Sequence, residues 1–261
     1  MFKLSSRQKM LMATLVAVKV VAIVGVVYAE SWWSAWWPGR GASVQTAQAA
    51  TGATQAATGA VSAPAGAAVA QSTQTRQEAL QIQVDDKVLG SPMAPVTIIE
   101  YASMTCSHCA DFKEKTLPQV KKEWVETGKA NYVLRDLPWD NMALGMAKVA
   151  RCVPSSQFYP LAEAFFAKQK QIVTSPDPMS EIKATAALAG LTPAQVEACI
   201  TDENLHKQVL ASKETARTVL AIKGTPTFFI NGAELDGAVN YSQINKALES
   251  AYAAKTGTAA R

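Results

Sequence analysis

The chain changes character along its length. Met10–Ala29 is almost unbroken apolar sequence, interrupted only by Lys19. From Pro38 to about Gln81 bulky apolar residues nearly vanish and no period is visible. Such a stretch cannot bury enough surface to offset its ordering entropy, so it reads as a flexible linker rich in Ala, Thr, Gly and Gln. Beyond it, patterned segments begin. The run Val96-Thr97-Ile98-Ile99-Glu100-Tyr101, preceded by a turn signal ending in Gly90-Ser91-Pro92, predicts a strand. In 110–125 the apolar residues Phe112, Leu117, Val120 and Trp124 fall near helical spacing, with Pro118 as a kink and Gly128 as a stop. A second strand comes next at 130–137, and strand, helix and strand together imply a parallel pairing. Helical spacing then recurs over 142–153, 156–170, 179–189, 193–200 and 203–220, with Pro178 and Pro193 near helix starts and Thr192 as an N-cap. Strand character returns at Thr227-Phe228-Phe229-Ile230, the pair Asn231-Gly232 predicts a two-residue hairpin, and a last helix covers 241–252. The class is α/β. The expected organisation is a cytoplasmic end at 1–9, a membrane-targeting segment at 10–29 and a linker at 30–80. A globular domain occupies 81–254, with a helical insertion at about 140–221, and a tail at 255–261 ends the chain.

Charge sharpens the reading of the N-terminus. Six of the 25 basic residues and two of the 21 acidic ones precede residue 79, which leaves nineteen of each in the remainder. The globular part is neutral by this count, and no positive field argues for a nucleic-acid partner. Lys3, Arg7 and Lys9 precede the apolar stretch, so that end stays in the cytoplasm and the chain beyond the stretch is exported. Two readings of 10–29 compete. It is a transmembrane anchor, as its length and the adjoining Trp32-Trp33-Ser34-Ala35-Trp36-Trp37 favour. Alternatively it is a signal peptide cleaved near Ala29. Lys19 at mid-depth counts against a resident helix. Both readings place the domain on the extracytoplasmic, periplasmic side, with anchoring the favoured one.

The four cysteines are Cys106, Cys109, Cys152 and Cys199. An even number in an exported chain invites disulfides. Cys106-Ser107-His108-Cys109 stands straight after a strand and at the mouth of a helix. One helical turn brings the two thiols near disulfide distance. The free N–H groups and partial positive charge of a helix N-terminus stabilise a thiolate, which lowers the pKa of the first cysteine. His108 adds a donor that can carry charge. Half of a zinc site is the competing reading, but it needs a second pair of ligands. The remaining cysteines are far apart in sequence, and His108 and His206 are the only histidines. Neither a metal nor an organic cofactor is implied.

Residues 85–252 resemble exported disulfide oxidoreductases of the DsbA type. The resemblance is carried by 89–98 (Leu-Gly-Ser-Pro-Met-Ala-Pro-Val-Thr-Ile), Glu100-Tyr101, Cys106-Ser107-His108-Cys109, Arg135-Asp136-Leu137-Pro138 and 224–232 (Gly-Thr-Pro-Thr-Phe-Phe-Ile-Asn-Gly). It implies a thioredoxin fold with an inserted helical domain. It makes Pro226 the family's cis-proline beside the redox pair, Thr225 the residue that contacts the redox sulfur, and Glu100 a buried acid beneath the cysteines that relays protons. A solvated strand residue is the plainer reading of Glu100. Well-known members carry Pro where this chain has Ser107, and that dipeptide tunes the potential. Many chains of this type carry cysteines at the positions of Cys152 and Cys199. These two are expected to bridge in an oxidising compartment as a structural or redox-modulating disulfide, the alternative being two separate buried thiols.

The expected activity is dithiol–disulfide exchange through Cys106 and Cys109, which introduces disulfides into reduced, unfolded exported proteins. By resemblance, a membrane quinone-linked oxidase reoxidises the pair. A reductase or isomerase using the same residues, a non-catalytic cell-envelope chaperone or binding module, and a glutathione-using isomerase on a related fold are the alternatives. The last group generally lacks a Cys-x-x-Cys. Trp139, in a loop after the second strand, reads equally as a groove residue or as packing.

Overall fold

The computed structural model describes residues 75–258. The regions expected as a cytoplasmic end, a membrane-targeting segment and a linker, up to residue 74, and the last three residues of the chain lie outside them. Among the described residues, no helix is long and apolar enough to cross a membrane.

Five strands form one sheet: β1 (Val88–Leu89), β2 (Val96–Ala102), β3 (Ala130–Asp136), β4 (Thr227–Ile230) and β5 (Ala233–Asp236), in the order β1-β3-β2-β4-β5. β2 and β3 pair in parallel, and the other three pairings are antiparallel. The parallel pair is joined by α1 (Ser107–Lys115), the short α2 (Leu117–Val120) and a π-helical turn, Lys121–Val125. The predicted single helix over 110–125 is thus broken. It ends at Thr116, and Pro118 sits in the first turn of α2, where its missing N–H costs nothing. Five helices come after β3: α3 (Asn141–Cys152), α4 (Ser155–Ala167), α5 (Gln169–Thr174), α6 (Pro178–Ala186) and α7 (Pro193–Thr201). α8 (Glu203–Glu214) completes the insertion and continues into a second π-helical turn, Thr215–Val219. The chain then returns to the sheet, and α9 (Tyr241–Thr256) closes the fold.

Both faces of the sheet are covered, which explains why β2 carries a run of apolar residues instead of an alternation. Val96, Ile98 and Ala102 face one core with Phe112, Leu117, Phe228, Ile244 and Leu248, into which the insertion adds Met146, Phe158 and Phe165. Ile99 and Tyr101 face the other with Val133, Phe229, Ala216, Leu220 and Leu80. The β4–β5 hairpin turns at Asn231-Gly232, whose φ angles of 48° and 87° are the left-handed values this pair supplies.

The expected linker ends earlier than residue 80. Residues 75–79 form a helical turn, and Leu80 is buried in the second core. Arg135 clamps this segment. Its guanidinium donates to Asp86 Oδ1 at 3.0 Å and Oδ2 at 2.7 Å, and to the carbonyls of Ala79 and Gln81.

Candidate active site

Strand β2 ends at Ala102, and Cys106 is the N-cap of α1. The helix opens there because residues 103–105 turn the chain, with the Cys106 N–H donating to the Ser103 carbonyl at 3.0 Å. Cys106 is half-buried, Cys109 is fully buried, and neither is in a disulfide in this structure. The loop before β4 brings up Thr225 and Pro226, joined by a cis peptide bond. The Cys106 thiol donates to the Thr225 carbonyl at 3.2 Å. Residues 119 positions apart in the chain are therefore in contact.

The two thiols are electrostatically unlike. The Cys109 thiol donates to the Cys106 sulfur and is the largest influence holding it ionised. The Thr225 side chain and the N–H groups of Cys109 and His108 add to it, and together they outweigh partial burial to bring Cys106 down to about 5. Burial pushes Cys109 far up, helped by its bond to Cys106 and by the Glu100 charge. The backbone N–H of His108 is among the groups that favour the ionised sulfur, and its imidazole is exposed.

Glu100 is completely buried, so the solvated reading of it does not hold. It lies on β2 on the face that α1 covers, and Lys113 from that helix donates to its Oε2 at 2.7 Å. The Tyr132 hydroxyl donates to the same oxygen, and Lys113 also bonds Tyr132. Oε1 is buried with no partner. Sequence reasoning does not find Lys113 or Tyr132. The signal for Lys113 is its place four residues after Cys109, one turn along the same buried face of α1. Gln169, at the start of α5, also escapes it. Its amide donates to the carbonyls of Met104 and Cys106 at 2.9 and 2.8 Å, which ties the insertion to the loop that carries Cys106.

Trp139 is 42% exposed, and its indole N–H donates to the Thr225 hydroxyl at 2.8 Å. The second cysteine pair lies in the insertion, where Cys152, closing α3, is bonded to Cys199 in α7, with Cα atoms 5.9 Å apart. Among the described residues, no group of three or more His, Cys, Asp or Glu side chains is placed to hold a metal ion.

Comparison with known proteins agrees with this fold. The family model described as Thioredoxin matches residues 82–250. A Rickettsia bellii protein with the provisional name protein-disulfide oxidoreductase is 27% identical over 183 residues, which cover 67% of this chain and 70% of that one. Disulfide bond formation protein D of Bacillus subtilis is 25% identical over 173 residues, 62% of this chain and 75% of that one. The crystal structure of alpha-DsbA1 from Wolbachia pipientis superposes with a TM-score of 0.66 at 27% identity, covering 69% of this chain and 97% of that one.

Proposed function

Because the chain belongs to the thioredoxin family, and is a DsbA-like thiol–disulfide oxidoreductase, we propose that Cys106 and Cys109 carry its exchange reaction and that it acts as an oxidant of exported proteins. The observation that carries this direction is the asymmetry of the pair, a half-buried thiol held near 5 beside a fully buried one pushed far up. A stabilised Cys106 thiolate is a good leaving group and favours the reduced enzyme, so the oxidised enzyme gives its disulfide away.

The order of steps is set by access. A client thiolate attacks Cys106 of the Cys106–Cys109 disulfide. The client–Cys106 bond forms, and Cys109 leaves with the electron pair of the broken S–S bond and takes up a proton. A second client thiolate attacks the client sulfur of the mixed disulfide, and Cys106 leaves as a thiolate. Two client thiols are thereby oxidised to a disulfide, and the enzyme disulfide is reduced to a dithiol. Glu100, whose charge reaches Cys109 from a buried site, passes the proton to and from it. Thr225 and Pro226 line the place where the client strand meets Cys106. A membrane quinone-linked oxidase restores the disulfide. Anchoring through residues 10–29 keeps the domain on the periplasmic face, near that partner.

Equilibration with glutathione measures the potential. An oxidant gives a value well above that of the glutathione couple, and a value below it assigns the protein to the reductases instead. Cys106→Ser abolishes exchange with a reduced client. Glu100→Gln slows it most in the step that frees Cys109, without moving the Cys106 titration as far as loss of Cys109 does.

A further inference from the structure

Trp139 stands on the loop between β3 and α3, and this loop is fastened to the redox loop at several points. Its backbone N–H donates to the Ser103 hydroxyl at 3.4 Å. The next residue, Asp140, caps α3 by accepting from the Ala143 N–H at 2.7 Å and accepts the Thr105 hydroxyl at 2.6 Å. The Arg217 guanidinium stacks over the indole at 5.3 Å from the ring centre. With the ring so placed, Nε1 meets Thr225 Oγ1 at 2.8 Å.

The chemistry of that contact is one-directional. An indole N–H only donates, so the Thr225 oxygen must accept, and the one hydroxyl hydrogen is left for another acceptor. The adjacent acceptor that changes with the reaction is the Cys106 sulfur. As a thiol it donates to the Thr225 carbonyl at 3.2 Å. As a thiolate it can no longer do so and needs a donor. We infer that Trp139 is a positioning residue for the redox sulfur: its N–H orients the Thr225 hydroxyl so that it donates to the Cys106 thiolate, and polarises that bond. The inference rests on the reading of Cys106 as the reactive thiolate. After the Cys109 thiol, the Thr225 side chain is the largest of the groups favouring the ionised sulfur. Bonds in such a chain strengthen one another, and bonds to a charged acceptor are the stronger kind. Neither Trp139 nor Arg217 needs to touch the client for this role.

The test is titration of the Cys106 thiolate by its absorbance in the reduced protein. Trp139→Phe keeps an aromatic ring for Arg217 and removes the N–H together with the second ring. It is expected to move the midpoint up by about half a pH unit, and Thr225→Val by about one. In the Thr225→Val background, Trp139→Phe adds nothing, because the relayed bond is already gone. Thr225→Ser, which keeps the hydroxyl, retains the low midpoint. An unchanged midpoint in Trp139→Phe overturns the inference, and so does a shift of equal size in both backgrounds. A wild-type midpoint near that of free cysteine overturns the assignment of Cys106 itself, and the two failures are thereby told apart.

Discussion

At the scale of single residues, the site is an arrangement for making one sulfur ionise and its neighbour stay protonated. The consequence for stability has a definite sign. Cys106 has a folded-state pKa well below its unfolded value, so its ionisation stabilises the reduced fold fully above the unfolded pKa. That contribution is lost as pH falls through the folded value of about 5. The oxidised protein lacks the thiolate. The stability of reduced relative to oxidised protein should therefore decline as pH is lowered from about 9 to about 5 and then level off. Denaturant melts of both forms across this range check it, and a flat difference contradicts a lowered Cys106. Cys106 and Cys109 are legible in sequence because a Cys-x-x-Cys at the start of a helix is a matter of chain order alone. The partners of Glu100 are not. Lys113 looks like any solvated lysine of a polar helix, and its burial depends on facing a strand residue thirteen positions earlier.

At the scale of elements, the strands and helices of the first half are readable from local sequence, β2 as a short β-branched and aromatic run after a turn signal and α1 from the helical spacing of its apolar residues. β1 is not, since two residues have no period, and Val88–Leu89 is a strand only because Tyr132 and Val133 lie beside it. The breaks within helices are also invisible, apart from the one Pro118 announces. The turn between β1 and β2 shows what holds the register there. Gly90 has φ near +90°, and a Cβ added to it would stand 2.7 Å from Val125 Cγ1 and 3.3 Å from the Ala130 carbonyl. Gly90→Ala combines an unfavourable backbone angle with a clash against the π-helical turn. It should cost about 1–3 kcal/mol in chemical denaturation. The Cys106 titration should be unaffected, since Gly90 lies at the other end of β2.

At the scale of the whole molecule, the helical insertion is part of the core on one face of the sheet, and it reaches the loop that carries Cys106 through Gln169. Its extent is legible from five helical periods between two strands. That its apolar side chains join the core of the sheet is not, because periodicity says which face is buried and not against what. The Cys152–Cys199 bridge joins positions 47 residues apart in this insertion. Replacing both cysteines with Ala should lower stability by about 3–4 kcal/mol through the unfolded chain, while leaving exchange at Cys106 largely intact. Calorimetry paired with a client oxidation assay checks both halves. The same bond has a mechanical meaning. Leu188, 69% exposed in a short 3-10 turn that ends at Gly190, lies between the bridged positions and is open to proteases that cut after large apolar residues. A molecule nicked there stays one covalent piece, running at full size on a non-reducing gel and separating into two bands only when reductant is added. The bridge holds the two fragments of a cut molecule together.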